Sequence, residues 1–555
     1  MQSFTLSLLI SLVINIGTYT SHDKQIKGSL SFTTYEVSVN DIAYRIDPRI
    51  ELFNIVAMQF GHSGMTLSNI PYKKESLDYF EPYSNHPAPQ ILMQTWQKGW
   101  HVDDPMFFLL HLDEQFNIKK GLHPDLIKRG GGMEQLQKLA DGLKDYAEKS
   151  DFYTYFNTVQ HDFYKQILSQ TAYHYRNFSG ANMLESYYSE KADSYTLILN
   201  LISGYGNFGT SIRTEDRFDL YAIVETNAAA GDLPVFKPSV AGIDLILHEF
   251  SHGFVNPYVD KYKAELSEFG HLYQPIEESM KSQGYHHWQV TVNEHIVRSN
   301  VIRMIQNEHG ASLAKALYYK REMGRRFIYL DAILDKLQEF ESDRGTYPTF
   351  KTFVPELLSI FSEVSEPYIQ AKQQKVEERR KPRIDRMPKP YDFAKDSSTV
   401  FVIGTHEQDK ESQQAMHLWV EQYRNMFSPD IRIITDNEAL QMDLNQNDIV
   451  LFGTKNGNAF LSKYIDQIPV IITDTEIVTN TITKGTDLQL VTSWVSPFNN
   501  EKTLAIYTAQ QTEDIKNFNN SPVKDQYHYW IAKDLITLDK GDYVNHYWIW
   551  TPDIL

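Results

Sequence analysis

The 555-residue chain has no cysteine. That excludes disulfides, thiolate-bound metals, thiol nucleophiles and a lipid-anchoring cysteine. Beyond the N-terminus no stretch reaches the about 18 apolar residues of a membrane span. Positive charge is also short: the formal net charge is −18, whereas nucleic-acid binders present a basic face. Internal repeats, low-complexity segments, a Gly-x-Gly-x-x-Gly dinucleotide fingerprint and a Gly-x-Ser-x-Gly nucleophile elbow are all missing. Gly130-Gly131-Gly132 lacks the Gly-Lys-Ser/Thr ending and the preceding strand of a phosphate loop, and reads as a flexible connection.

Hydrophobic residues at 42% and charged residues at 22% are ordinary for a soluble globular protein. The length calls for two or more domains. Residues 4–17 form an uncharged apolar run, followed by the small residues of Thr18-Tyr19-Thr20-Ser21. Residues 1–21 therefore read as a signal peptide, although no Lys or Arg precedes the run. The alternative is a buried N-terminal helix. A secreted or periplasmic protein is expected.

The stretch around which the chain is organised is His248-Glu249-Phe250-Ser251-His252, of the His-Glu-x-x-His type. Positions i and i+4 share a helix face, so both imidazoles can reach one metal ion. Glu249 beside them can take a proton from a water that the metal activates. Leu245, His248, His252 and Val255 form one stripe; Ile243, Leu247, Phe250 and Phe254 cover much of the rest. A helix apolar nearly all round is buried, and unpaired buried polar groups cost roughly 2–7 kcal/mol each. A zinc ion would supply the partners. The alternative is a buried helix with hydrogen-bonded histidines.

Catalytic zinc usually keeps three protein ligands. One zinc-protease class takes a histidine six residues beyond the motif with a glycine midway; Val255 and Tyr258 exclude it. Another takes a glutamate from a later helix. Glu294 is the best candidate, because Val290, position 294, Val297, Val301 and Met304 share one helical stripe, so Glu294 stands where a core residue belongs. Arg298, one turn on, could pair with it, orient it or hold substrate charge. Glu277 and Glu278 lie in a polar run, and His295 points about 100° away.

His248 to His252 with Asn293-Glu294 resembles the gluzincin group of metallopeptidases. The wider wording from Gly242 to Pro257, and the early Asp47-Pro48-Arg49-Ile50-Glu51-Leu52, resemble a bacterial family of secreted proteins classed as a domain of unknown function (DUF4932), over roughly residues 30–365. The resemblance implies a zinc peptidase fold with His248, His252 and Glu294 as ligands and Glu249 as the base, but no substrate. It also implies a downstream Tyr or His that donates a hydrogen bond to the oxyanion, for which Tyr347 is the candidate; His271, His286 and His287 compete for the role and read as surface residues. An edge strand beside the metal would bind the substrate backbone. Residues 217–227, followed by Ala228, are the candidate, with an internal strand as the alternative. Asn293, Arg298 and Ala228 complete the residues expected to support ligand or substrate. The spacing from His252 to Glu294 is 42 positions, longer than in thermolysin-like enzymes, and Arg298 stands where they have an aspartate. The surroundings of the ligands must therefore be built differently.

The expected architecture is an α+β gluzincin-like domain over residues 22–370, a basic proline-containing linker over 371–395, and a C-terminal α/β domain over 396–555. In the last, strands at 400–405, 431–435, 449–454 and 469–473 alternate with helices at 411–427 and 457–465, which implies a Rossmann-like, mostly parallel sheet. Further strands are expected at 487–495 and 502–508. Two strands end in Gly-Thr, where such sheets bind ligands. The functional expectation is a zinc peptidase acting on peptide or amide carbonyls. A catalytically inactive binding protein on the same scaffold, and a zinc amidase acting on cell-wall or glycan-linked substrates, are the alternatives.

Overall fold

The computed structural model describes residues 31–61, 71–101, 103–202, 206–225, 229–230, 233–236, 240–311, 314, 319–380, 387–390, 392, 398–468, 470–479, 482–499, 501–515, 518, 526–546 and 549–552. The expected signal peptide and Ala228 lie outside them. The chain divides into one unit of Met1–Ala181 with Ala192–Lys237 and another of Asn182–Lys191 with Pro238–Leu555. Both helices and sheets with parallel pairs are present, and no described helix is long and apolar enough to cross a membrane.

The first unit holds a five-stranded sheet of β1 (Tyr35–Val39), β2 (Ile42–Ile46), β3 (Ser194–Asn200), β4 (Phe208–Arg213) and β5 (Phe218–Glu225), in the order β1-β2-β3-β5-β4. β1 and β2 form a hairpin because Asn40 and Asp41 adopt left-handed φ of 47° and 66°, as a tight two-residue turn requires. β2, β3 and β5 are parallel, and β4 returns antiparallel on β5. The strand expected at 217–227 is present as β5, but it is internal; the edge strands are β1 and β4.

Helix α1 (Pro48–Gln59) starts as its sequence dictates. Asp47 caps it by accepting the Arg49 N–H at 3.0 Å, and Pro48 occupies the first turn. Gly61, at φ 77°, follows its end. Every residue from Ile50 to Met58 is buried. Its polar residues consequently need internal partners. Asn54 Nδ2 donates to Asn200 Oδ1 at 2.7 Å, and Tyr72 Oη donates to Glu51 Oε2 at 2.7 Å. Burial pushes the Glu51 carboxyl up to about 8, against the opposing Tyr72 bond.

In the second unit, a seven-stranded sheet runs in the order Ile536–Gly541, Tyr529–Lys533, Gln489–Val495, Thr503–Ala509, Ile449–Phe452, Val400–Ile403, Arg432–Thr435. The last four strands are parallel, and the first three join antiparallel. The sheet is thus mixed, not mostly parallel. The reason is connection length. Residues 496–502 are too few for the crossover of about a dozen residues that a parallel return requires. Asp534 and Leu535, at φ 48° and 65°, close a hairpin. Phe401, Val450 and Phe452 pack with Met416, Trp419 and Tyr423 of helix Lys410–Asn425 on one face, while Val400, Val402, Ile449 and Leu451 pack with Phe460 and Leu461 on the other. Coverage on both faces explains the unbroken apolar runs. The strand expected at 469–473 is short, Ile471–Ile472, and belongs to a separate three-stranded antiparallel sheet.

A buried carboxylate lies at the Gly-Thr strand ends. Glu407, 2% exposed, reaches across them and accepts from Thr454 N–H at 2.7 Å, Thr454 Oγ1 at 2.7 Å and Thr512 Oγ1 at 2.6 Å. A Cβ on Gly457 would meet the Glu407 carboxyl carbon at 1.9 Å. The basic stretch read as a linker begins inside helix Glu366–Arg380, where Lys372 pairs with Asp331 and Glu377 with Arg326.

Folded Glu51 keeps its proton up to about pH 8, and unfolded Glu51 only to its ordinary 4.5. Between these values the folded state binds more protons, so stability falls as pH rises. At about 1.4 kcal/mol per tenfold change in proton affinity, the loss amounts to roughly 5 kcal/mol. Glu51→Gln should flatten the fall in Tm between pH 5 and 8 and raise Tm at pH 9 relative to wild type, as measured by thermal melts across that range.

Candidate metal centre

Two helices build the site. Val240–Val259 carries His248, Glu249 and His252, and Trp288–His309 carries Glu294; they pack against each other. Ile246, Leu247, Phe250, Phe254 and Val255 are fully buried, so the first helix is held with its register fixed. The last turn continues past Pro257, which withholds one backbone donor. In the second helix Val297, Val301 and Met304 are buried as their spacing requires, but Val290 is 42% exposed. The apolar stripe therefore starts one turn later than expected, at Glu294 itself.

The ligand-type atoms converge. His248 Nε2 and His252 Nε2 are 3.2 Å apart, Glu294 Oε1 is 3.3 Å from His252 Nε2, and Glu294 Oε2 is 3.5 Å from His248 Nε2. A four-coordinate ion with bonds of about 2.0–2.1 Å spaces its ligand atoms roughly 3.3–3.4 Å apart. Each carboxylate oxygen stands near that spacing from one imidazole, and with one ligand atom taken from each residue the three groups lie within 4.8 Å of one another. Among the described residues this is the one group of three or more His, Cys, Asp or Glu side chains so arranged. Burial, then the Arg298 charge, hold the His248 imidazole well below its usual range, so it is neutral, as a metal ligand must be. Burial, then the Glu294 charge, push the Glu249 carboxyl well above the usual carboxylate range.

Around this triangle the structure places residues that sequence reasoning passed over. His252 Nδ1 donates to Asn256 Oδ1 at 3.3 Å, which leaves the Nε2 lone pair facing the triangle. Arg298 does pair with Glu294, Nη2 donating to Oε2 at 2.9 Å, and it also donates to Glu322 Oε2 at 2.8 Å and to Tyr285 Oη at 3.0 Å. Glu322 receives Arg321 Nε at 2.6 Å and Arg325 Nη1 at 3.3 Å, and Arg321 pairs with Asp244, one turn before His248. Burial alone would raise the Glu322 carboxyl; Arg298, Arg321 and Arg325 overcome it and hold that group well below the carboxylate range. Glu322 sits in Lys320-Arg321-Glu322-Met323-Gly324, a short charged stretch with no apolar period to mark it as buried.

Not every candidate joins the site. Asn293 Nδ2 donates to Asp260 Oδ1 at 3.2 Å, tying the second helix to the turn after the first. Tyr347 lies in the turn after helix Leu330–Ser342 with its ring edge-on to Phe353, and none of its contacts among the described residues reaches the triangle. Tyr285 instead reaches Arg298, the partner of Glu294. His295 is fully buried away from the triangle, its Nδ1 bonded to Thr291 O at 2.7 Å, and burial pushes its pKa down to about 3. His271, His286 and His287 are exposed, and Glu277 pairs with Lys281.

The family model described as a domain of unknown function (DUF4932) matches residues 42–360. No curated protein matches the chain.

The purified protein should retain about one divalent ion per chain after dialysis, as expected for three protein ligands around a single ion. Glu294→Ala should lose it. Elemental analysis measures both, and undiminished metal content in Glu294→Ala would move the third ligand elsewhere.

Proposed function

The chain belongs to the DUF4932 family, and on that footing we propose that it is a secreted or periplasmic zinc-dependent peptidase of gluzincin type. The observation that carries this reading is the convergence of His248, His252 and Glu294 at 3.2–3.5 Å with Glu249 next to His248 on the same helix. His248, His252 and Glu294 would hold the ion. A bound zinc ion would supply Lewis acidity, toward a substrate carbonyl and toward water. The charge of a bound ion would oppose the burial and the Glu294 charge that push the Glu249 carboxyl up, so that Glu249 can take a proton from the attacking water and pass it to the leaving amine. Asn256 keeps the His252 ring in its metal-binding tautomer. The donor count supports a catalytic rather than a structural ion, because structural zinc is closed by four protein ligands, and three gather here among the described residues. The substrate is a peptide or other amide carbonyl.

Glu249→Gln should keep the metal and lower hydrolysis of a broad peptide library by at least about 10²–10⁴-fold, the usual size of a general acid–base contribution. Turnover at the wild-type rate would remove Glu249 from this role. A metal-loaded wild type that cleaves no peptide would favour a binding protein on the same scaffold.

A further inference from the structure

Resting on the reading of the site as a zinc centre, we propose that Glu322 is a positioning residue for Glu294, acting through Arg298, and that this chain of charges makes Glu294 a one-oxygen ligand. Glu294 Oε2 accepts the Arg298 Nη2–H at 2.9 Å and stands 3.5 Å from His248 Nε2; Oε1 stands 3.3 Å from His252 Nε2. An oxygen that accepts a guanidinium N–H gives up donor strength, so Oε1 is the oxygen offered to an ion. Arg298 cannot hold this position by itself, since a long side chain has many rotamers. Its other end is pinned: Nη1 donates to Glu322 at 2.8 Å, and its guanidinium lies over the Phe327 ring at 4.4 Å.

Glu322 is itself immobilised by Arg321 and Arg325, and Arg321 returns to Asp244 on the His248 helix. The chain of contacts is therefore closed. It leaves the first metal helix at Asp244, passes through Arg321, Glu322 and Arg298, and re-enters the site at Glu294. Part of the Glu294 charge is spent on Arg298. An ion held there keeps more of its own positive charge, which favours polarisation of a carbonyl.

The test uses the full-length protein loaded with Co²⁺, whose visible absorption is intense in four-coordinate sites and weak in five- or six-coordinate ones. Wild type should give the four-coordinate spectrum. Glu322→Gln and Arg298→Met should each weaken and shift the bands and raise the Co²⁺ Kd about 10–100-fold, the usual effect of losing a partner of a ligand. Because the two residues act in series, Glu322→Gln in the Arg298→Met background should change nothing further. Arg298→Lys keeps the charge but cannot bridge two carboxylates as a planar fork does, and it should shift the spectrum even if Glu322→Gln fails to fold. A purely structural role would lower the melting temperature of the apo-protein and leave the cobalt bands in place. Wild-type spectrum and affinity in Glu322→Gln or Arg298→Lys, or additive losses in the double variant, would overturn the proposal alone. Absence of cobalt uptake by wild type would overturn both this proposal and the metal reading beneath it.

Discussion

Glu294 is a carboxylate placed in the core of a helix pair, and such a group persists only where positive charge meets it. The structure answers that requirement with Arg298, which meets one oxygen from within the same helix, while the two imidazoles of the neighbouring helix face the carboxylate and would share it with a bound ion. The remaining charges follow from the first pair. Arg298, buried in its turn, needs Glu322; Glu322 gathers Arg321 and Arg325; and Arg321 needs Asp244. Removing Arg298 would strip the buried Glu294 of that cationic partner, which is the expensive outcome for a buried ion pair.

Much of this was legible in the sequence where one helix carries the information. The i, i+4 spacing of His248 and His252 and the apolar positions around them define the first helix, and Glu294 stands out as a charge at an apolar position. The cap at Asp47-Pro48 and the end at Gly61 follow from local chemistry that needs no distant partner. What stayed hidden depends on contacts between segments far apart. Glu322 is 24 positions from Arg298 and reads as a surface residue until the fold buries it. Tyr347 and Tyr285 cannot be ranked from sequence, because only the path of the chain decides which hydroxyl comes near Arg298. β5 and β4 are both short alternating strands, and only pairing tells which one is the edge.

The same limit explains the two sheets. An alternation of strands and helices implies parallel pairing only where the connections are long enough to cross over. That condition holds for the strands from Val400 to Phe452 and fails after Val495, where short connections turn the chain back on itself. α1 offers the converse case. Helices on several sides enclose it, and Glu51 and Asn54 are accommodated by Tyr72 and Asn200 rather than by water.

At the rim of the C-terminal sheet, Glu407 gives the Gly-Thr strand ends a mechanical meaning. One carboxylate is tied to Thr454 and Thr512, and it lies over Gly457 with no room for a side chain beneath it. The loops after three neighbouring strands are thereby laced together like the rim of a basket. The three loops hold their positions through one shared carboxylate, so loosening Glu407 would release them together rather than one at a time.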